Sequence, residues 1–402
     1  MNILFLTIGR FESIEAHSIY ADLLRCFRDH GHEIYTISPY EKKSGKKTEI
    51  VHEKGAHVIH IETGDVTGAN NLFSKGLAQI AIEPIYIKAI KKYFSDVKFE
   101  LIMYSTPPIT FSRVVKFVKK RDNAKSYLLL KDIFPQNAID LGMMTKSGVK
   151  GIIYKYFRTK ERKLYALSDY IGCMSEANVQ YVLSHNLEIE QSKVEVCPNA
   201  IDVIDQSVDE QTRRSIREKY NIPQDKKVFV YGGNLGKPQG IPFLIECLKK
   251  VQSIDDAYFL IIGSGSDYGI IEEYIVKEKP SNVKLSSLLP KEEYDSMLGS
   301  CDVGMIFLDH RFTIPNFPSR LLAYMQAKLP VLAVTDSNTD IGKVIVNGGF
   351  GWWCESNDSD NFVNVVESAL KSDFVAVKEK EFQYLLDCYA VETAYQTIMN
   401  HV

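Results

Sequence analysis

The sequence predicts an α/β chain of two doubly wound parallel sheets, each covered by helices on both faces. Apolar strand-like runs alternate with segments of helical period along nearly the whole chain, the pattern that such layers require. A polar, charged stretch at 202–227, with Pro223 inside it, separates two sets of these runs. Glycine turns placed directly after strands gather in the second half. At 402 residues there is chain enough for two full cores.

In chain order, the first half offers strands near 3–8, 33–38, 57–61, 101–104, 126–130, 170–173 and 194–197. The second offers 228–231, 258–262, 283–285, 303–307, 331–334 and 351–353. The expected boundaries are a domain at 1–202, a second at 203–380 and a terminal helical segment at 381–402 that either closes the second domain or crosses back onto the first. No short-period repeat marks a solenoid.

Three turns in the second half suit an anion. The strand at 228–231 empties into Gly232-Gly233-Asn234-Leu235-Gly236-Lys237-Pro238-Gln239-Gly240, whose four glycines let backbone N–H groups approach a phosphate. It lacks the Gly-Lys-Ser/Thr ending of a Walker loop. Gly263-Ser264-Gly265 follows the strand at 258–262, and its next glycine, Gly269, comes one residue too late for the dinucleotide fingerprint. The segment 312–334 reads as loop, helix and buried strand, with Asn316 as the expected N-cap and Pro318 in the first turn. Arg320 falls at the positive end of that helix, where a cation is disfavoured unless an anion accompanies it. Arg320 either reaches into solvent or meets a phosphate. Three such turns together suggest strand ends converging on a nucleotide.

Composition narrows the class. Seven scattered cysteines without CxxC pairs argue against a disulfide framework and a zinc site, and predict a cytoplasmic chain. The first residues lack the basic region and apolar core of a signal peptide, and no apolar run approaches a membrane span. Residues 1–200 hold 28 Lys/Arg against 22 Asp/Glu and residues 201–402 hold 20 against 29, so the first half is the one to meet an anionic surface. Nothing points to nucleic acid.

In the first half, Asp132 follows the strand at 126–130, the topological place for a catalytic group. It can serve as a general base, as a stabiliser of positive charge, or as an N-cap. Ser105 and Thr106 precede Pro107-Pro108 in a rigid turn suited to hydrogen-bonding a ligand or to its own satisfaction. His17, near the start of the first helix, is a ligand-contacting candidate or a structural histidine; Glu12 and Glu15 are weaker. Asp255-Asp256 and Asp358-Ser359-Asp360 read as solvated acidic faces, so no metal and no cofactor is expected. The segment 146–163, with seven basic residues interleaved with Ile152, Ile153, Tyr154, Tyr156 and Phe157, suits an anionic membrane or is a solvated helix; the apolar segment 72–94, which carries Lys88, Lys91 and Lys92, is its expected helper.

These features, with Thr7-Ile8-Gly9-Arg10 before His17, Gly31-His32-Glu33, Ser105-Thr106-Pro107-Pro108, Asp132-Ile133-Phe134-Pro135, Pro198-Asn199-Ala200-Ile201-Asp202, the Gly-Asn-Leu-Gly loop and Asn316-Phe317-Pro318-Ser319-Arg320, resemble a GT-B glycosyltransferase of family 4, in the branch that builds bacterial capsule, O-antigen and exopolysaccharide. The resemblance implies two Rossmann-like domains facing a cleft. It implies retaining, metal-independent transfer from a nucleotide sugar, UDP the favoured base, to a lipid-linked saccharide at the inner face of the cell membrane. Asp132 and His17 are then the catalytic candidates. Gly233, Asn234, Lys237, Ser319 and Arg320 take the donor diphosphate, with Gly9 and Arg10 opposite. Gly263, Gly265 and Ala323 take the nucleoside; Ser105, Thr106, Lys131, Asn199 and Asn316 take sugar or acceptor. The chain departs from the family pattern where Pro315 and Ala323 replace two glutamates, and where Asn234 and Gln239 replace the usual Arg and Lys. A nucleotide-sugar epimerase of the same fold and a catalytically silent binding subunit are the competing readings.

Overall fold

The structure, a computed structural model, describes all residues except Arg10, Glu12 and 65–71, and describes only the backbone of 72–80. The chain divides into two compact units, one of Met1–Asp202 with Ala390–Val402, the other of Val203–Tyr389.

The first unit holds β1 (Asn2–Leu6), β2 (Glu33–Glu41), β3 (Glu49–Glu53), β4 (Ala56–Thr63), β5 (Leu101–Ser105), β6 (Lys125–Leu130), β7 (Tyr170–Cys173) and β8 (Val194–Val196). They form one sheet in the order β3-β4-β2-β1-β5-β6-β7-β8. All pairs are parallel except β3 with β4. Alternation along β1 shows why its run is apolar throughout. Leu4 and Leu6 enter one core with Ile82, Tyr86 and Ile90 of the helix Leu72–Tyr93. Ile3 and Phe5 enter another with Leu24 and Phe27 of the helix Ile19–Asp29 and Tyr395 and Ile398 of the helix Val391–Met399. A strand buried on both faces has no polar alternation to display. The terminal helix therefore packs within the first unit, while the preceding helix, Phe374–Tyr389, stays with the second.

The second unit holds β9 (Lys227–Asn234), β10 (Ala257–Ser264), β11 (Val283–Ser286), β12 (Val303–Phe307), β13 (Val331–Thr335) and β14 (Gly351–Glu355), all parallel, in the order β11-β10-β9-β12-β13-β14. The order reverses between β9 and β12, the switch point at whose carboxyl edge doubly wound sheets bind ligands. In the first unit the reversal falls between β1 and β5.

Three local expectations need correction. β3 is a strand where none was expected. β9 runs into the glycine turn, with Gly233 and Asn234 paired to Gly263 and Ser264. The helix expected after Asn316 begins only at Arg320, runs Arg320–Gln326, and has Ser319 as its N-cap without a side-chain hydrogen bond. Asn316 is not a cap because neighbouring loops hold its segment: the Thr339 hydroxyl donates to the Asn316 carbonyl (2.5 Å) and Asn338 Nδ2 to the Phe312 carbonyl (2.6 Å).

Candidate functional site

At the switch point of the second unit, the backbones leaving β9 and β10 pack in contact. A Cβ on Gly263 would stand 2.1 Å from the Gly233 carbonyl, and one on Gly265 2.2 Å from the Leu235 carbonyl, so both positions need glycine for this approach. The Gly232 amide donates to the Tyr324 hydroxyl (3.2 Å), which donates to the Met305 carbonyl (3.0 Å), tying the helix Arg320–Gln326 to β9 and β12. The Tyr231 hydroxyl donates to the Asn234 carbonyl (2.7 Å).

The residues standing where the family carries cations satisfy each other. Gln239 Oε1 accepts from Asn234 Nδ2 (2.8 Å) and from the Gly236 amide (3.3 Å), leaving a neutral, closed turn. Lys237 is exposed, with no ion pair among the described residues. The charge sits on Arg320 instead. Its guanidinium lies 4.4 Å from the Tyr231 ring centroid and beside Gly233, where a Cβ would come 3.5 Å from Nη2. Its Nη1 is shut off from solvent and has no hydrogen-bond partner among the described residues. Four residues earlier, Asn316 Nδ2 is likewise buried and unpartnered.

Asp336, at the carboxyl end of β13, was missed in the sequence; Thr339 ties it to Asn316, donating its amide to Asp336 and its hydroxyl to the Asn316 carbonyl. Asp336 accepts from the Asn338 and Thr339 amides through Oδ1 (2.9 and 3.1 Å), while Oδ2 is buried and unpartnered. Burial pushes its carboxyl up to about 6 against those two amides. Arg320 Nη1, Asn316 Nδ2 and Asp336 Oδ2 are thus two buried donors and one buried acceptor unmatched among the described residues; an unmatched buried polar group costs free energy that a ligand recovers. Ala323 is partly buried on the same short helix, and Ser319 is exposed at its start.

In the first unit, the carboxyl ends of β5 and β6 gather Ser105, Thr106, Lys131 and Asp132. Thr106 Oγ1 accepts from the Lys131 and Asp132 amides (3.0 and 3.3 Å). Asn137 Nδ2 donates to both Asp132 oxygens (2.9 and 3.0 Å), so Asp132 orients a side chain, and the N-cap of the helix Gln136–Asp140 is Pro135. Burial pushes Asp132 up to about 6, with Asn137 opposing. Burial lowers Lys131 to about 8, and its Nζ donates to the Cys197 carbonyl (3.0 Å). Ser105 is buried beside Tyr20. Asn199 Oδ1 is buried without a partner. His17 Nδ1 lies 3.0 Å from Asp22, which Arg25 also holds (2.5 Å), leaving the histidine Nε2 for a ligand. Gly9 is exposed, its amide donating to Thr7 Oγ1 (2.9 Å). Arg10 and Glu12 lie outside the described residues, and Glu15 pairs with Arg28.

The basic segment forms the helix Gly148–Leu167. Val149, Ile152, Ile153 and Tyr156, spaced i, i+3, i+4, i+7, are 78%, 69%, 46% and 38% exposed, one apolar stripe facing outward. Of its cations, Arg158 pairs with Glu161 (2.6 Å), Lys160 with Glu83 (3.5 Å) and Arg162 with Glu188 (2.7 Å). Lys146, Lys150, Lys155 and Lys163 have no ion pair among the described residues. The expected helper turns its apolar residues inward where its side chains are described, Ile82, Tyr86, Ala89, Ile90 and Phe94 being core residues, and the side chains of 72–80 lie outside the described residues. Among the described residues no helix is long and apolar enough to cross a membrane. Of the acidic pairs, Asp358 caps the helix Ser359–Leu370 and Asp360 pairs with Lys250.

The family described as Glycosyl transferases group 1 matches residues 212–384, the segment that carries Asn316, Arg320 and Asp336. With the two switch-point sheets, that match makes the chain a glycosyltransferase of the GT-B architecture. "Probable glycosyltransferase WbjE" of Pseudomonas aeruginosa is 24% identical over 310 residues, 76% of this chain and 74% of that protein. Among solved structures, HepE of Anabaena in complex with UDP-glucose has a TM-score of 0.69 at 14% identity, covering 100% of this chain and 98% of that one. WaaG, a glycosyltransferase involved in lipopolysaccharide biosynthesis, has 0.66 at 13%, covering 98% of each.

Proposed function

We propose that this enzyme moves a sugar, with retention of anomeric configuration, from a UDP-sugar to a lipid-linked saccharide during assembly of a bacterial surface polysaccharide such as capsule, O-antigen or exopolysaccharide. The observation that carries the reading is Arg320 Nη1, a buried cationic donor without an anion at the switch point of the second unit. A departing nucleoside diphosphate gains negative charge as its bond to the sugar breaks, and a fixed guanidinium stabilises that charge without reorganising. Asn316 Nδ2 and Lys237 assist at the phosphates, with Gly233, Asn234 and Ser319 lining the approach. Asp336 Oδ2 accepts from a donor hydroxyl, the part left vacant by Pro315 and Ala323. Gly263, Gly265 and Ala323 leave room for the nucleoside.

The first unit serves the acceptor. Asp132 is the acceptor base or the stabiliser of positive charge on the sugar; Ser105, Thr106, Lys131, Asn199 and the free His17 nitrogen bind hydroxyls. UDP is favoured because HepE is solved with UDP-glucose, and a surface polysaccharide because WaaG acts in lipopolysaccharide biosynthesis. The outward stripe Val149, Ile152, Ile153 and Tyr156, beside four lysines without an ion pair among the described residues, supports docking on the anionic inner membrane surface, where a lipid-held acceptor would be found.

Thermal unfolding with UDP, GDP, dTDP and CMP sugars tests the donor, because a ligand bound only by the native state raises its stability. A shift with a UDP-sugar, followed by transfer to polyprenyl-diphosphate saccharides, is expected. No shift with any nucleotide would overturn the reading, and binding without turnover would leave the silent subunit.

A further inference from the structure

We infer that Cys26, His30 and Glu392 form a divalent-cation site of thiolate, imidazole and carboxylate, suited to zinc, joining the terminal helix Val391–Met399 to the first helix Ile19–Asp29. The ligand atoms of these three residues all lie within 4.8 Å of one another. Cys26 and His30 are one helical turn apart, so their side chains share a face. Cys26 Sγ stands 3.6 Å from Glu392 Oε2, and His30 Nε2 stands 3.4 Å from Glu392 Oε1. Zinc bonds of about 2.0–2.3 Å to nitrogen, oxygen and sulfur at tetrahedral angles need ligand atoms about 3.3–3.6 Å apart. Both separations meet that need, each through a different oxygen of Glu392, and Cys26 Sγ stands 3.9 Å from His30 Nδ1, so a side-chain rotation of the exposed carboxylate is needed to present one oxygen to the ion.

The imidazole is set for metal. His30 Nδ1 lies 2.9 Å from the Cys26 carbonyl, which only accepts, so Nδ1 carries the proton and Nε2 presents its lone pair. A backbone carbonyl holding the other ring nitrogen is the usual support behind a metal-bound histidine. Stacking on Tyr395, at 4.0 Å between ring centroids and 21° between planes, fixes the ring. Gln396 Nε2 donates to Glu392 Oε1 (2.8 Å), restraining the carboxylate. A soft thiolate beside an imidazole selects zinc over magnesium or calcium. On binding, the Cys26 thiol gives its proton to solvent, the sulfur bonds the ion, and water fills the fourth position. The ion would hold Ala390–Val402 to the first unit; the proposal gives it no part in sugar transfer.

Chelator-stripped protein is titrated with Co²⁺ and then Zn²⁺. One equivalent of cobalt should give the near-ultraviolet thiolate-to-metal charge-transfer band, zinc should displace it, and zinc should raise Tm. Cys26→Ser should lose the band. Glu392→Gln, at an exposed position outside the core, should keep its fold by circular dichroism and bind zinc at least tenfold more weakly. No band and no zinc-dependent Tm shift in the unaltered protein would overturn the inference, leaving a hydrogen-bonded cluster in which the thiol donates to Glu392. A band that persists in Cys26→Ser would place the ion on another thiol and overturn it equally.

Discussion

Replacing Arg320 with Met separates a binding role from a packing role, because the two predict opposite signs for two measurements. The methionine keeps an apolar stem on the Tyr231 ring and removes the cation. If Nη1 awaits a phosphate oxygen, the variant loses a charge-assisted hydrogen bond contributing about 1.5–3 kcal/mol, or about 10- to 150-fold in Kd. In the free protein the balance reverses. A buried donor left unpaired costs about 1–3 kcal/mol, and more when charged. The cation–π contact that opposes it contributes about 0.5–2 kcal/mol, part of which the polarisable thioether recovers. Arg320→Met should therefore unfold at the same temperature as the unaltered protein or higher, while isothermal calorimetry shows weakened UDP binding. A Tm lowered by several degrees with unchanged UDP affinity would refute the reasoning and make Arg320 a structural cation.

Asp132→Asn should spare UDP affinity and lower turnover by about 10²- to 10⁴-fold; with its carboxyl raised to about 6 by burial, the unaltered enzyme should lose kcat/KM below that pH, and a flat profile there would remove Asp132 from the chemistry. Asp336→Asn should weaken UDP-sugar binding and abolish its decline below pH about 6, where protonation of the unaltered residue turns an acceptor into a donor; calorimetry at pH 5 and 7 decides. Glu381 is fully buried with neither oxygen partnered among the described residues, and burial holds its carboxyl well above the usual range. An acid raised in the folded state contributes stability below its unfolded pKa of about 4.3 and loses it as pH climbs toward the folded value. Glu381→Gln should thus raise Tm more at pH 8 than at pH 5; equal shifts would show the carboxyl stays matched.

The parallel strands were legible because burial on both faces leaves uninterrupted apolar runs, as in Ile3 to Leu6 and Val303 to Phe307. β3 was not, because Glu49–Glu53 is a partly exposed edge strand whose charges hide its pairing with β4. The position of Arg320 after Pro318 was readable; its burial over Tyr231 was not, since that contact joins elements far apart in the chain. Asn316 has the composition of a cap, and tertiary hydrogen bonds from Asn338 and Thr339 override it. Asp336 did carry a signal: like Asp132, it is a lone carboxylate closing an apolar strand, and the rule that chose one selects the other. The basic helix read as uniformly charged because Glu83 and Glu188, which neutralise Lys160 and Arg162, lie outside the segment. Cys26 and His30 show helical ligand spacing, but their third partner, Glu392, is near the other end of the chain.

The two sets of positive charge proposed for donor and membrane differ in solvation, and salt should tell them apart. In the proposed donor site Arg320 is the buried charge, since Asn234 and Gln239 form a neutral, self-satisfied turn. Ions of the solvent screen a buried contact weakly. Lys146, Lys150, Lys155 and Lys163 are exposed, and each contributes about 1 kcal/mol near an anionic surface, a term that fades once the Debye length falls from about 10 Å at 0.1 M salt toward about 3 Å at 1 M. Raising salt should therefore release the protein from phosphatidylglycerol vesicles while UDP affinity changes little. Converting those four lysines to glutamate should abolish sedimentation with anionic vesicles at low salt, and converting Val149 and Ile152 to serine should weaken it at every salt concentration, since burial of their apolar surface is not screened. Equal sedimentation with neutral and anionic vesicles, or indifference to the glutamate substitutions, would leave the stripe without a lipid partner, and the acceptor would then have to reach the enzyme from solution.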